Sequence, residues 1–151
     1  MILKEIELFE HIDFEVMNEI AGICSEVEYS EDTTIFERAE QARCLYILLE
    51  GSIHLVIKNG GTITYSLSEP GDVFGWSSML EHGNYTASGI CATDLKAVKI
   101  EKDKLIKIFN NHPDAGFKVL QRLAGVIAKR LSNAYLDLLS ARVTDTTPSY
   151  G

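Results

Sequence analysis

Hydrophobic and polar positions alternate with a period of two over the middle of the chain, between Val27 and Ile100. Side chains of a β-strand point alternately to its two faces, so this period predicts half-buried strands. Turn residues at Glu50-Gly51 and Asn59-Gly60-Gly61 break the pattern and predict hairpins. Eight strands are predicted, over Val27–Tyr29, Thr33–Phe36, Cys44–Leu49, Ser52–Ile57, Thr62–Leu67, Asp72–Phe74, Thr86–Cys91 and Leu95–Ile100. Short strands at this spacing indicate a β-sandwich or barrel.

On both sides of this region the hydrophobic pattern changes to a helical period. Asp13 is the expected N-cap of a first helix. Its predicted apolar face consists of Phe14, Met17, Ala21 and Cys24. After Ile100 a short helix is predicted over Asp103–Phe109. Pro113 then suits the first position of a long helix that is predicted to end at Ala141.

The long helix carries two apolar faces. Residues at alternating spacings of three and four are the a and d positions of a coiled coil. They predict a dimer interface of Phe117, Leu120, Ala124, Ile127, Leu131, Ala134 and Leu138. A second edge of Val119, Leu123 and Val126 is expected to pack on the barrel, and Lys118, Arg122, Gly125, Lys129 and Ser132 form a polar back. The other interpretation is a helix buried wholly within one domain.

Charge and composition restrict the function. The chain has 151 residues, enough for one domain, and a net charge of −8. Residues 1–100 hold 6 Lys/Arg and 17 Asp/Glu, whereas residues 101–151 hold 8 and 5. Nucleic-acid binding needs a basic face, so direct nucleic-acid binding by this chain is not expected. No run of 18 apolar residues predicts a membrane span, and the first residues lack a signal-peptide pattern, so a cytoplasmic protein is expected.

Residues typical of catalytic or metal sites are scattered. His11, His54, His82 and His112 never pair at metal-ligand spacing, so no metal site is expected. Cys24, Cys44 and Cys91 are expected to be buried reduced thiols, and no basic neighbour in sequence activates Cys91. Gly-x-Ser-x-Gly, Walker and Rossmann patterns are absent from the sequence. We therefore expect neither an enzyme nor a cofactor.

The stretch from Glu69 to Ala87 combines several turn and helix signals. Pro70-Gly71 predicts a turn, Asp72–Phe74 a short strand, Gly75 a sharp change of direction and Ser77–Leu80 about one helical turn. A strand, a glycine turn and a helix start together form a cradle for anions, because free N–H groups point outward.

This stretch resembles the phosphate-binding cassette of the cyclic-nucleotide-binding domain family, which includes the bacterial Crp/Fnr regulators. The family pattern is roughly Pro-Gly-Asp-x-Phe-Gly-Glu-x-x-x-Leu, three or four residues, then Arg-x-Ala. The matching residues are Pro70, Gly71, Asp72, Phe74, Gly75, Leu80 and Ala87. Leu45–Ile53 is similar to the family's Leu-Tyr-x-Ile-x-x-Gly-x-Val hairpin, and Leu8-Phe9 to its entry before the first helix. The family also favours a glycine near Glu31 and another near Ala39, and this chain has neither.

The resemblance covers about residues 6 to 140 and implies a fold. That fold is mainly β with flanking helices: an eight-stranded double-stranded β-helix (a jelly-roll-like β-roll), an N-terminal helix and a long C-terminal dimerisation helix. It implies one sensory domain over residues 1–143, with the β-roll at 27–100 and C-terminal helices at 102–141. A disordered tail is expected over residues 144–151. Crp/Fnr regulators continue into a helix-turn-helix domain here, so the alternative is the sensor part of a longer transcription regulator.

Two positions of the cassette depart from the family. Trp76 stands where the family has the glutamate that holds the ribose, and Tyr85 where it has the arginine that pairs with the cyclic phosphate. Residues 59–95 hold no Lys or Arg. Losing one partner of a buried charge pair costs about 2–5 kcal/mol, which weakens a micromolar site to roughly 0.1–1 mM. Binding of cyclic AMP or cyclic GMP in the usual mode is therefore not expected.

The candidate ligand-binding residues are Phe74, Gly75, Trp76, Ser77, Ser78, Tyr85, Thr86 and Ala87. Three interpretations remain open at this point. Trp76 and Tyr85 fill the cavity, which leaves a ligand-free dimeric scaffold for protein interactions. Alternatively, they line a pocket for a planar or aromatic molecule. In the third interpretation a cyclic nucleotide is held unconventionally, with Arg43 or a cation of a partner chain replacing the arginine.

Overall fold

The structure, a computed structural model, describes the backbone of residues 3–146 and the side chains of residues 3 and 5–141. The strands are β1 (Cys24–Tyr29), β2 (Thr34–Phe36), β3 (Cys44–Glu50), β4 (Ile53–Lys58), β5 (Thr62–Leu67), β6 (Val73–Phe74), β7 (Ser88–Cys91) and β8 (Leu95–Glu101). The α-helices are α1 (Phe14–Ile23), α2 (Lys102–Asn111) and α3 (Pro113–Thr146). Single 3-10 turns lie at Leu3–Glu5, Glu7–Phe9 and Trp76–Met79.

The strands form two four-stranded sheets of order β1-β8-β3-β6 and β2-β7-β4-β5, and every neighbouring pair is antiparallel. The predicted mainly-β architecture with flanking helices is confirmed. The expected hairpin glycines adopt left-handed backbone, with φ of 88° at Gly51 and 72° at Gly60. The predicted strand from Thr86 to Cys91 begins only at Ser88, and β1 begins three residues before the predicted Val27.

Strand β3 separates two hydrophobic cores. Leu45, Ile47 and Leu49 point into a first core that the helices cover. Tyr46 and Leu48 point into a second core between the sheets. A strand buried on both faces reads as a continuous apolar run, and this explains the sequence from Cys44 to Leu49.

The apolar face predicted for α1 is wrong in part. The helix buries Val16, Met17 and Ile20 against the first core, while Phe14 is 81% exposed and Ala21 is exposed. The packed face is therefore centred near Met17 and Ile20 rather than along the line from Phe14. Asp13 precedes the helix as predicted but makes no capping hydrogen bond through its side chain.

Helix α3 is longer than predicted. It continues to Thr146, so residues 144–146, predicted to belong to a disordered tail, are helical. No glycine or proline stands between Gly125 and Pro148 to end the helix earlier. The remainder of the predicted tail, residues 147–151, lies outside the described residues. The part of the chain that the structure describes has no helix long and apolar enough to cross a membrane.

The two apolar edges of α3 differ in burial. Val119 and Leu123 are buried in the first core, as predicted, and Ile127, predicted for the dimer interface, is half-buried against it. The rest of the predicted interface is exposed. Its large side chains are exposed by 67% at Phe117, 41% at Leu120, 50% at Leu131 and 61% at Leu138, and Ala124 and Ala134 lie exposed between them. The helix is therefore not buried wholly within one domain.

Candidate ligand site at the cassette

The backbone of the cassette has the predicted shape. Strand β6 pairs with Tyr46 and Ile47 of β3, and Gly75 then turns the chain in left-handed conformation with φ of 73°. A Cβ atom at Gly75 would lie 3.0 Å from the Cys44 carbonyl oxygen and 3.1 Å from the Tyr46 ring. The 3-10 turn Trp76–Met79 follows, closed by the Ser78 amide, which donates to the Gly75 carbonyl at 3.1 Å. Glycine suits this close approach and this φ better than a residue with a Cβ atom.

The structure brings together six of the eight candidate ligand-binding residues. With Phe36 and Leu55 they line one cleft; the six are Gly75, Trp76, Ser77, Tyr85, Thr86 and Ala87. The other two, Phe74 and Ser78, are fully buried and do not line it. The cleft has a volume of about 30 Å³. Such a volume holds about two water molecules, whereas small-molecule sites begin near 300 Å³.

Tyr85 occupies the interior of the cassette. Its ring stacks on Phe36 with centroids 3.9 Å apart, and only 6% of the residue is exposed. Its hydroxyl donates to the Cys44 carbonyl at 2.9 Å and accepts from the Cys44 amide at 3.3 Å. Its backbone is held by the Ala39 amide and the Glu40 carbonyl. Burial raises the pKa of the Tyr85 hydroxyl, so the residue stays neutral.

An aromatic row continues from Tyr85 through the second core. Phe36 stacks on Tyr46 at 5.9 Å, and Tyr46 on Phe74 at 5.1 Å with an interplanar angle of 7°. Trp76 is not part of this row. It is half-buried at the edge of the cleft and packs against the first core. Tyr85 and Phe36, rather than Trp76, therefore take up the interior.

No Lys or Arg lines this cleft within the described residues. Arg43, considered as a substitute for the missing arginine, is exposed, lines a different cleft and donates to Gln41 Oε1 at 3.3 Å. His82 is exposed and lies 3.7 Å from Glu81.

Two loops of the barrel have a left-handed backbone at residues other than glycine. Asp32 and Ala39 have φ of 69° and 75°, the left-handed region that favours glycine. These are the neighbourhoods in which the family carries glycine. The backbone shape is thus present without the residue that normally signals it.

The cysteines and the possible metal ligands outside the cassette are characterised by their burial and grouping. All three cysteines are free, and burial raises the pKa of the Cys91 thiol, with Asp94 adding to the effect. A thiol of raised pKa is a poor nucleophile. Within the described residues, no group of three or more His, Cys, Asp or Glu is placed to hold a metal ion.

Sequence reasoning missed the role of two arginines of α3. Arg122 belongs to the predicted polar back of the helix, and its Nη1 donates to the carbonyls of Leu8 and Glu10. Arg130 Nη2 donates to the Val73 carbonyl, one residue before Phe74 of the cassette. Their spacing of eight residues places them about 80° apart around the helix, so the sequence pattern does not single them out as a pair.

The two antiparallel sheets form a β-roll that contains the glycine turn of the cassette and is followed by a long helix. This is the architecture of a regulatory domain. The model of the cyclic nucleotide-binding domain family matches residues 26–112, and the chain belongs to this family.

Comparison with individual proteins agrees with this assignment. The chain is 23% identical over 146 residues to the CRP-like cAMP-activated global transcriptional regulator of Mycobacterium tuberculosis, covering 95% of this chain and 63% of that protein. The crystal structure of the catabolite activator protein of Thermus thermophilus matches with a TM-score of 0.70 and 27% identity, over 88% of this chain and 62% of that one. A cyclic nucleotide-binding domain from Methylobacillus flagellatus shares the fold with a TM-score of 0.79 at 22% identity, over 93% of this chain and 80% of that domain.

Proposed function

We propose that this chain is a dimeric regulatory module of the CRP type whose cassette is closed by its own side chains and does not bind cyclic AMP or cyclic GMP in the usual mode. The observation that supports this is the buried position of the Tyr85 side chain inside the cassette. Tyr85 stands at the position of the phosphate-binding arginine, and its hydroxyl is bonded within the core to both backbone groups of Cys44.

Opening the cassette for a nucleotide is costly. Tyr85 would have to give up two hydrogen bonds to buried backbone and its stack on Phe36. The vacated space would still lack a cation for the phosphate, because no Lys or Arg lines the cleft in the described part of the chain. Regulation in this module therefore acts through a partner protein or through a ligand bound elsewhere.

The exposed stripe of α3 supports the dimer. Phe117, Leu120, Leu131 and Leu138 are all large and apolar, and each is at least 41% exposed in the single chain. Their a and d spacing allows two copies of the helix to bury them against each other. Complete burial of a fully exposed side chain of this size contributes about 1.5–3 kcal/mol, and these side chains, already partly covered in the single chain, gain a part of that.

Thermal-shift titration with cyclic AMP and cyclic GMP tests the closed cassette. We expect no shift of the wild type at millimolar nucleotide and a shift of the Trp76→Glu/Tyr85→Arg variant, which regains both family residues. The matched control is Trp76→Glu/Tyr85→Phe, which regains the carboxylate without the cation and should not respond. A ligand at 100 times its Kd adds about 2.7 kcal/mol of stability. A wild-type shift at micromolar nucleotide would refute the proposal.

Sedimentation velocity tests the dimer. We expect a dimeric wild type and a monomeric Leu131→Asp/Leu138→Asp variant. Leu136→Asp is the control, since Leu136 is 59% exposed on the same helix but lies outside the a and d stripe. A monomeric wild type, or a double variant that stays dimeric, would contradict the assignment of the stripe.

A second candidate is the sensor part of a longer transcription regulator. It is favoured by the coverage of the mycobacterial relative, of which this chain spans 63%. The test is the length of the natural reading frame, where a downstream helix-turn-helix sequence is expected and an immediate stop would exclude it.

A further inference from the structure

A larger cleft lies between α3 and the edge strands β5 and β6. Its volume is about 610 Å³. This lies within the range of small-molecule sites. The strand side includes Tyr65, Ser66 and Ser68, and the helix side includes Lys129, Arg130 and Asn133. None of its lining residues lines the cassette cleft.

Arg130 is a half-buried, incompletely paired cation that lines this cleft. Its Nη2 donates to the Val73 carbonyl, but its Nη1 is covered and has no hydrogen-bond partner within the described residues. The nearby Asp72 does not form an ion pair with it, and Asp72 Oδ2 accepts instead from the Glu69 amide at 3.0 Å. Burial lowers the pKa of the Arg130 guanidinium, and the field of Asp72 opposes this only in part. A covered charged donor without a partner is costly, and a small turn of the guanidinium toward the cleft would give it an anionic partner there.

Two further donors stand beside Arg130. Lys129 precedes it, and Asn133 follows one turn later, four residues after Lys129 and therefore next to it on the helix surface. In the described part of the chain neither side chain has a hydrogen bond or an ion pair. All three residues line the cleft, so an ammonium, a guanidinium and an amide N–H₂ are available as donors on its helix side.

Carboxylates limit what the cleft accepts. Glu7, Glu69 and Asp72 also line it. Three carboxylates in the lining disfavour a polyanion. They suit a ligand with a single anionic group at the helix and a neutral or cationic remainder toward the strands.

We propose that this cleft binds a small molecule through one carboxylate or phosphate group, which accepts hydrogen bonds from Arg130 Nη1, Lys129 and Asn133. The inference goes beyond the proposed function, because it places a ligand outside the cassette. Leu131 and Leu138 of the apolar stripe lie on the side of α3 opposite to Lys129 and Asn133, at 100° per residue. A dimer formed through the stripe would therefore leave Lys129 and Asn133 uncovered.

The test is an NMR titration of the ¹⁵N-labelled 151-residue chain with sodium phosphate and, separately, with sodium acetate. Sodium chloride keeps the ionic strength constant. We expect saturable shifts confined to the amides of Val73 and residues 126–133. The two arms distinguish a phosphate from a carboxylate preference. Arg130→Gln and Lys129→Gln should each weaken binding by about tenfold or more, which is the effect of losing a charge-assisted hydrogen bond.

Lys118→Gln is the matched control, because Lys118 is exposed on the same helix and does not line the cleft. It should bind as the wild type does. If Arg130→Gln fails to fold, as circular dichroism would show, Lys129→Gln decides, since it leaves the Arg130 contact with Val73 intact. Shifts that do not saturate with either anion, or that spread over the surface lysines, would overturn the proposal. Unchanged affinity of the Lys129 and Arg130 variants would overturn it as well.

Discussion

Replacing Tyr85 with phenylalanine tests whether the cassette is held shut from within. The substitution removes one oxygen atom and leaves the ring that stacks on Phe36 at 3.9 Å. It also leaves in place the backbone hydrogen bonds of residue 85 with Ala39 and Glu40. The substitution removes the hydrogen bonds of the hydroxyl with the amide and the carbonyl of Cys44.

The expected loss follows from the burial of the groups left behind. Cys44 is 8% exposed, so its carbonyl and amide have little access to water once the hydroxyl is gone. A buried polar group without a partner costs about 1–3 kcal/mol. The hydrogen bond from the Cys44 amide, at 3.3 Å, is the weaker of the two. We therefore expect a total loss of about 2–3 kcal/mol, which lowers the Tm by roughly 4–10 °C in a domain of this size.

Urea unfolding at a fixed protein concentration measures this loss, because a dimer's stability depends on concentration. Tyr135→Phe is the control. Tyr135 is 61% exposed on α3, and its hydroxyl has no partner within the described residues. That variant should match the wild type within about 0.5 kcal/mol.

A Tyr85→Phe variant as stable as the wild type would refute the reasoning. It would show that the hydroxyl is not bonded in the core and that the ring can leave the cassette at little cost. The proposal of a closed cassette would then lose its main support.

Four further substitutions give expected outcomes. Ala39→Gly should stabilise the protein by about 0.5–1 kcal/mol in urea unfolding, because φ is 75° at this position, and a loss would show that the loop is not left-handed. On α3, Gly116→Ala should destabilise by about 1–3 kcal/mol, since the new Cβ would lie 2.7 Å from Phe109 Cβ, while Gly125→Ala, with open space around it, should stabilise by about 0.5–1 kcal/mol. Equal effects of the two alanines would contradict this packing. Burial raises the pKa of the Cys24 thiol from 9.0 to about 11, so its contribution to stability is present below pH 9 and is lost as the pH rises toward 11. The stability difference between the wild type and Cys24→Ala should therefore change between pH 8 and about 11, and a constant difference would show that the thiol is not desolvated.

Much of the fold could be predicted because local signals and tertiary packing agree. The continuous apolar run at β3 indicates a strand buried on both faces, and the glycines at positions 51, 60 and 75 indicate turns with a left-handed backbone. The structure has both features, and each signal lies within a few residues of the chain. The face of α1 could not be predicted as well. Phe14 and Met17 are equally apolar, and only the position of the barrel decides that Met17 is buried.

The backbone shape of the candidate site was predictable from the sequence, but the position of the side chains inside it was not. The sequence indicates that a tyrosine replaces the arginine at position 85. Whether that ring enters the core depends on Phe36 and Cys44, which lie about 40 or more residues away and meet it only in the folded barrel. The contact of Arg130 with Val73 in the other cleft likewise forms because α3 crosses β6 in the folded chain. Contacts between distant segments leave no periodic signal along the chain.

The contacts of Arg122 and Arg130 make α3 a lever. They fasten the helix at two points about 12 Å apart, one on the N-terminal segment and one on β6. Beyond Arg130 the helix continues to Thr146, roughly 24 Å further, and residues 134–141 are all exposed in the single chain. A tilt of about 5° at the fastened part moves the far end by roughly 2 Å at this length. A displacement too small to reshape the barrel is therefore amplified at the tip of the helix, where an attached domain or a partner would sense it.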